Sequence, residues 1–131
     1  MQLSDVYQHQ AVREFGEALG KAIGKEQDYA SLTDLEFAQT KTDFADVLHR
    51  FLRRFHTLAP KRENLWYCPP DSRVEELMQL VDQVAGTMPY SDDNHRYREA
   101  IRLVRAALLS RALTQATYYR VQGIRQQQGQ A

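Results

Sequence analysis

Cysteine occurs once in this chain, at Cys68. An internal disulfide is therefore excluded, stability has to come from packing, and a lone thiol fits a reducing compartment. Long apolar runs are missing as well: no stretch approaches the roughly 18 to 20 apolar residues of a membrane span, and none follows a basic start. A soluble, cytoplasmic protein without membrane contact is expected. Proline (four) and glycine (six) are scarce and lie mostly between periodic segments. Runs that alternate apolar and polar residues are also few, which disfavours sheets and favours long helices. Signatures of catalysis are absent: there is no GxGxxG, no phosphate loop, no GxSxG and no HExxH. No nucleophile, base and stabiliser can be grouped, so a non-catalytic protein without a cofactor is expected. No repeat of about 20 to 50 residues is visible.

What the chain does have is charge, in balance overall and polarised along its length. Seventeen basic residues offset seventeen acidic ones. From Met1 to Leu48, however, nine acids face four bases, a net −5; from Arg96 to Ala131 seven arginines face Glu99 alone, a net +6; the middle carries −1. Such polarity suits a protein that turns a basic face to a polyanion and an acidic face to something else. Arginine outnumbers lysine thirteen to four, and the planar guanidinium fork matches phosphate better than an ammonium does.

Apolar periodicity predicts an all-α fold: a compact bundle of four to five helices with a long C-terminal helix. One domain over residues 1–125 is expected, followed by a disordered glutamine-rich tail over 126–131. The first helix is predicted to start after Ser4 as N-cap and to run to about Ile23, burying Val12, Phe15, Leu19, Ala22 and Ile23. Gly16, Gly20 and Gly24 recur every four residues on it. They mark either a close backbone approach by a neighbouring helix or a frayed C-terminal end. Lys25 to Thr33 reads as a loop, with a short helical piece around Leu35 to Ala38. The second helix, about Thr42 to Leu58, has the clearest stripe: Phe44, Val47, Leu48, Phe51, Leu52, Phe55 and Leu58. A connector over Lys61 to Pro70 carries Trp66 and Tyr67, which either stack on bases or pin the connector to the core. The third helix follows Asp71 or Ser72, buries Val74, Leu77, Met78, Val81 and Val84, and stops at Gly86 and Pro89. The last begins near Ser91 and reaches about Gly123. Tyr97, Ile101, Val104 and Leu108 are its stripe, broadened by Leu103, Leu109, Leu113 and Ala116.

The candidate nucleic-acid-binding residues follow from these helices. Arg50, Arg53 and Arg54 point away from the stripe of the second helix, and Lys61 and Arg62 open the connector. On the last helix Arg98, Arg102, Arg105 and Arg120 fall within about 60° of one another at 100° per residue, interrupted by Leu109 and Ala116; Arg111 is a further basic position. The competing reading is a solvated helix face or salt bridges to the acidic first third. Among the histidines, His49 and His56 are seven apart with Asp46 one turn before, yet too few companions surround them for a metal site, and none is expected. Cys68 reads as a packed or idle thiol.

A compact helical chain with RFLRR at 50–54 and RYREAIRLVRAALLSR at 96–111 resembles the small subunit of CRISPR effector complexes. It is similar, within that group, to the small subunits encoded inside a large-subunit gene, as in type I-D Cascade. The resemblance implies a non-catalytic subunit that stacks with copies of itself along crRNA-binding backbone subunits, beside the large subunit. It also implies a basic surface that guides target or displaced DNA, with crRNA as a second nucleic-acid neighbour. The neutral total charge departs from that pattern. A protein-interaction or assembly module is the alternative, followed by a sequence-specific regulator, for which no recognition helix after a tight turn can be placed.

Overall fold

The computed structural model describes residues 3–55 and 72–129, and among these all regular structure is helical. In chain order the helices are α1 Leu3–Gln8, α2 Gln10–Glu26, α3 Ser31–Glu36, α4 Lys41–Arg54, α5 Ser72–Thr87 and α6 Asp93–Gly129. The all-α bundle with a long C-terminal helix is what the periodicity predicts. His56, Leu58, the Lys61–Pro70 connector with Trp66, Tyr67 and Cys68, and the end of the glutamine-rich tail lie outside the described residues.

The boundaries move for local reasons. The predicted first helix is two. His9 takes an extended conformation (φ −61°, ψ 137°) and its Nδ1 accepts a hydrogen bond from the Ala11 amide, 3.2 Å, so it caps α2 in the way Ser or Asp would. Ser4 lies inside α1 and is not its cap. Helix α2 runs past Ile23 to Glu26 and ends where Gln27 enters the left-handed region (φ 57°), its N–H returning to the Ile23 carbonyl. The segment read as a loop therefore closes sooner: α3 starts at Ser31, whose amide and hydroxyl both donate to Asp28. Thr40 caps α4 by accepting from the Asp43 amide, 3.1 Å, and the helix ends at Arg54, with Phe55 as its extended C-cap, short of the predicted Leu58. Asp92, not Ser91, opens α6: its side chain accepts from the Asn94 amide and its carbonyl from the Arg96 amide. At the other end α6 continues beyond Gly123 to Gly129. Glutamine is a good helix former, and nothing lies within 4 Å of a side chain placed at Gly123.

Helix α6, about 55 Å long at 1.5 Å per residue, is the axis of the molecule and touches each of the other described helices. Its most extensive packing is with α2. The two run parallel: Gly16 faces Leu108 and Arg111, Gly20 faces Ala112 and Gln115, and Gly24 faces Ala116 and Tyr119. A Cβ at Gly20 would stand 2.3 Å from the Ala112 carbonyl oxygen, and one at Gly24 would stand 2.7 Å from that of Ala116. The glycine stripe is therefore the close backbone approach, and buried Ala112 and Ala116 are its counterpart on α6. The core fills the remaining space with Phe15, Leu19, Phe44, Phe51, Phe55, Leu77, Leu80, Val81, Ile101, Val104 and Leu108, all buried. Leu113 is an exception to the predicted stripe. One residue on from Ala112, it is rotated about 100° away from α2 and is exposed.

A polar clamp ties α4, α5 and α6 at the surface. Lys41 Nζ donates to Asp82 Oδ1 at 2.8 Å, the Tyr97 hydroxyl donates to the same oxygen at 3.0 Å, and the Lys41 ammonium sits 4.9 Å from the Tyr97 ring centre. The hydrogen bond from Lys41 holds the Asp82 carboxyl below its ordinary range, and the same bond raises Lys41; the bond to Asp82 raises Tyr97. Asp82 thus stabilises the fold above its unfolded pKa, about 3.8. That contribution fades as pH falls through its lower folded value. Lys41 and Tyr97 contribute fully below their unfolded values and lose their share as pH rises through the higher folded ones. Because Lys41 and Asp82 remain 42% and 48% exposed, the clamp is worth about 0.2–1 kcal/mol. Urea midpoints measured from neutral to acid pH should fall less steeply in Asp82→Asn than in the parent; equal slopes would remove the clamp from the account.

Candidate nucleic-acid interface

The fold sorts the predicted arginines into those it uses itself and those it leaves outside. Arg111 belongs to the first set. Its side chain is only 16% exposed; the guanidinium lies 4.0 Å from the Tyr7 ring centre, donates twice to the Tyr7 carbonyl (3.2 and 3.3 Å) and once to Gln8 Oε1, and pairs with Glu17 at 3.6 Å. The last carbonyls of α1 lack intrahelical donors, and Arg111 supplies two. It therefore holds the break between α1 and α2. Arg105 is half-buried and donates to the Ala38 carbonyl, just beyond α3, where a free carbonyl needs the same service. Arg54 pairs with Asp28, which also holds Ser31, and lies over the Phe55 ring; it links the end of α4 to the start of α3. Two of the ion pairs thus join arginines to the acidic first third, as the competing reading expects.

The second set is exposed. Arg50 and Arg53 project from α4 without an ion pair among the described residues, and with Arg54 they line a groove of about 390 Å³ floored by Val47 and Phe51. Asp34 and Ser31 form its far wall. Arg98 lines a different groove, of about 490 Å³, with Lys41, Thr40 and Tyr97. Arg102 is exposed and, among the described residues, is engaged by Glu99 alone, one turn back, at 2.8 Å. Arg120 lines a third cleft, at the far end of α6. The four arginines read as one sector of the last helix are thus split: Arg105 turns into the bundle, and Arg98 and Arg120 serve different grooves. Lys61 and Arg62 lie outside the described residues.

Sequence reasoning passed over several residues of the surface. Phe37 is 71% exposed and borders a concavity of about 250 Å³ with Asp34, Asp43, Asp46 and Arg50. Lys25, Tyr118 and Tyr119 share the cleft of Arg120. Lys25 and Arg120 are separated by most of the chain, so only the α2–α6 packing brings them together. Other candidates are accounted for locally. His9 is a cap, His49 Nδ1 lies 2.8 Å from the Ala45 carbonyl, and His95 stacks on Tyr90 with ring centres 3.9 Å apart. Among the described residues no three His, Cys, Asp or Glu side chains are grouped to hold a metal ion, and no helix is long and apolar enough to cross a membrane.

An uncharacterized protein of the archaeon Archaeoglobus fulgidus is 36% identical over 118 residues, which cover 87% of this chain and 84% of that protein. The two belong to one family. No family model matches the chain, and no solved structure matches it. Its family is thus shared with an archaeal protein over nearly the whole bundle.

Proposed function

We propose that the chain is a non-catalytic, nucleic-acid-associated subunit of a multiprotein assembly, of the kind that the resemblance to the small subunits of CRISPR effector complexes implies. In that role copies of it stack beside crRNA-binding and large subunits, and exposed arginines guide target or displaced DNA. The observation that carries the reading is the division of the arginines. The fold's own needs are met by Arg54, Arg105 and Arg111, yet Arg50 and Arg53 stand exposed beside a groove, unpaired among the described residues, with Arg98 and Arg102 exposed on α6. Holding long cations at a surface without partners contributes little to stability, and such groups suit phosphate.

A second reading, a protein-interaction module, is favoured by Phe37. An aromatic ring this exposed, bordered by Asp34, Asp43 and Asp46 with Arg50 as the one base in the same concavity, fits a cationic protein surface better than a polyanion.

The experiment is purification of the tagged chain with its natural neighbours, followed by nucleic-acid binding across a salt series. Arg50→Glu with Arg53→Glu should weaken binding about equally for all sequences, with helicity intact and the salt slope reduced by about one unit for each phosphate no longer neutralised. Unchanged nucleic-acid binding, with failure to join the protein neighbours, would establish the interaction module instead.

A further inference from the structure

Helix α2 ends at Glu26, turned aside by the left-handed Gln27, whereas α6 continues for a further stretch beyond the level of Gly24. The step between them is a cleft of about 670 Å³. Gly24 brings the two backbones together at its floor, and Lys25, Gln27, Tyr118, Tyr119, Arg120 and Gln122 surround it. Among the described residues no acidic side chain lines it, in a protein whose acids and bases are equal in number. Lys25 and Arg120 have no ion pair among the described residues, and the Lys21 ammonium adds charge from the previous turn of α2, 5.7 Å from the Tyr119 ring centre. Tyr119 is held edge-on to Tyr118, with centres 5.3 Å apart and planes at 88°. Tyr118 itself is 55% exposed.

From this arrangement we infer that the cleft binds single-stranded nucleic acid, with a base stacked on Tyr118 and the flanking phosphates held by Lys25 and Arg120; the ligand class rests on the reading above, the site does not. An exposed ring beside unpaired cations matches the two things a single strand offers, a free base face and a phosphate chain. A duplex presents its bases already stacked, leaving the ring unused. The C-terminal end of α2 carries partial negative charge, which favours the N–H groups of a base at that wall and leaves phosphate to the cations. Tyr119, pinned between Lys21 and Gly24, sets the orientation of Tyr118 from behind. In the Arg50 and Arg53 groove the lining ring, Phe51, is buried, and the exposed ring beside Arg50, Phe37, shares its concavity with Asp34, Asp43 and Asp46, so that groove is assigned to the nucleic-acid backbone.

The test is fluorescence anisotropy of the full chain with labelled oligothymidylate and with a duplex of the same length. Tyr118→Ala should weaken single-strand binding about 5- to 150-fold, corresponding to the 1–3 kcal/mol of one stacked base, while Tyr118→Phe retains it and duplex binding does not change. Lys25→Glu with Arg120→Glu should weaken single-strand binding at least as much as Tyr118→Ala, leaving only what the Arg50 and Arg53 groove holds. All these positions are at the surface, and unchanged circular dichroism would verify folding. Single-strand binding that survives Tyr118→Ala but disappears in Arg50→Glu with Arg53→Glu would overturn the cleft and leave the nucleic-acid reading standing. Absence of single-strand binding by the parent chain would overturn the cleft as well. So would a Tyr118→Ala variant whose only defect is failure to join a protein neighbour.

Discussion

Replacing Gly20 with valine is expected to remove a large share of the stability of the protein. The first carbon of any side chain there stands 2.3 Å from the Ala112 carbonyl oxygen and 2.7 Å from the Gln115 Cβ. The obstacle is backbone on a helix that touches every other described helix, so neither partner can yield without disturbing the whole bundle. Overpacking in a dense interior typically costs 1–3 kcal/mol and more where backbone must move; a cost of about 3 kcal/mol or more is expected. The gain in helix propensity over glycine, below about 1 kcal/mol, does not offset it. Gly86 and Gly123 supply the contrast, since a side chain at either meets nothing within 4 Å. Gly123→Ala should therefore stabilise by a few tenths to about 1 kcal/mol. Urea unfolding followed by helical circular dichroism reads both signs, and a Gly20→Val midpoint equal to that of the parent would mean that α2 and α6 do not meet in this register.

Phe44→Ala should cost about 3–5 kcal/mol, from forfeited transfer energy and the cavity left behind. Phe44 is fully buried on α4, and closure of the cavity is opposed by helices held in place, α4 by its Thr40 cap and α5 and α6 by the Lys41–Asp82–Tyr97 clamp. Phe37→Ala is the matched comparison: the same side chain, seven residues earlier, at a site 71% exposed. It should change stability by less than about 0.5 kcal/mol. A loss below about 1 kcal/mol at Phe44 would mean that the α4 stripe does not face the core.

Phe37 and Phe44 also show where a linear reading stops. Phe44 belongs to a stripe that recurs at helical spacing through Val47, Leu48, Phe51, Leu52 and Phe55, and that periodicity alone assigns it to the core. Phe37 has no such companions, and its exposure depends on what α3 packs against. Helix ends behaved similarly. The Thr40 cap is a side-chain pattern close at hand, adjacent to where periodicity places the start of the second helix. The division between α1 and α2 has a weaker local signal, because histidine seldom caps, and a remote cause, because Arg111 comes from the other end of the chain to satisfy the Tyr7 carbonyl.

The arginines mark the boundary most clearly. Sequence by itself determined that the chain is helical, which faces of α2, α4 and α5 are apolar, and that the C-terminal helix is rich in arginine, because these depend on residues a few positions apart on one helix. Tertiary structure alone decided which arginines are free. Arg105 and Arg111 are consumed by carbonyls at helix ends more than sixty residues away, Arg54 by Asp28, whereas Arg50, Arg53, Arg98 and Arg120 meet no such acceptor among the described residues. It also decided between the two readings of Gly16, Gly20 and Gly24, and it joined Lys25 to Tyr118 and Arg120. The physical reason is common to all of these. A hydrogen bond, an ion pair or a close backbone approach between distant segments is set by how the helices dock, and one-dimensional periodicity records which face is buried without recording against what.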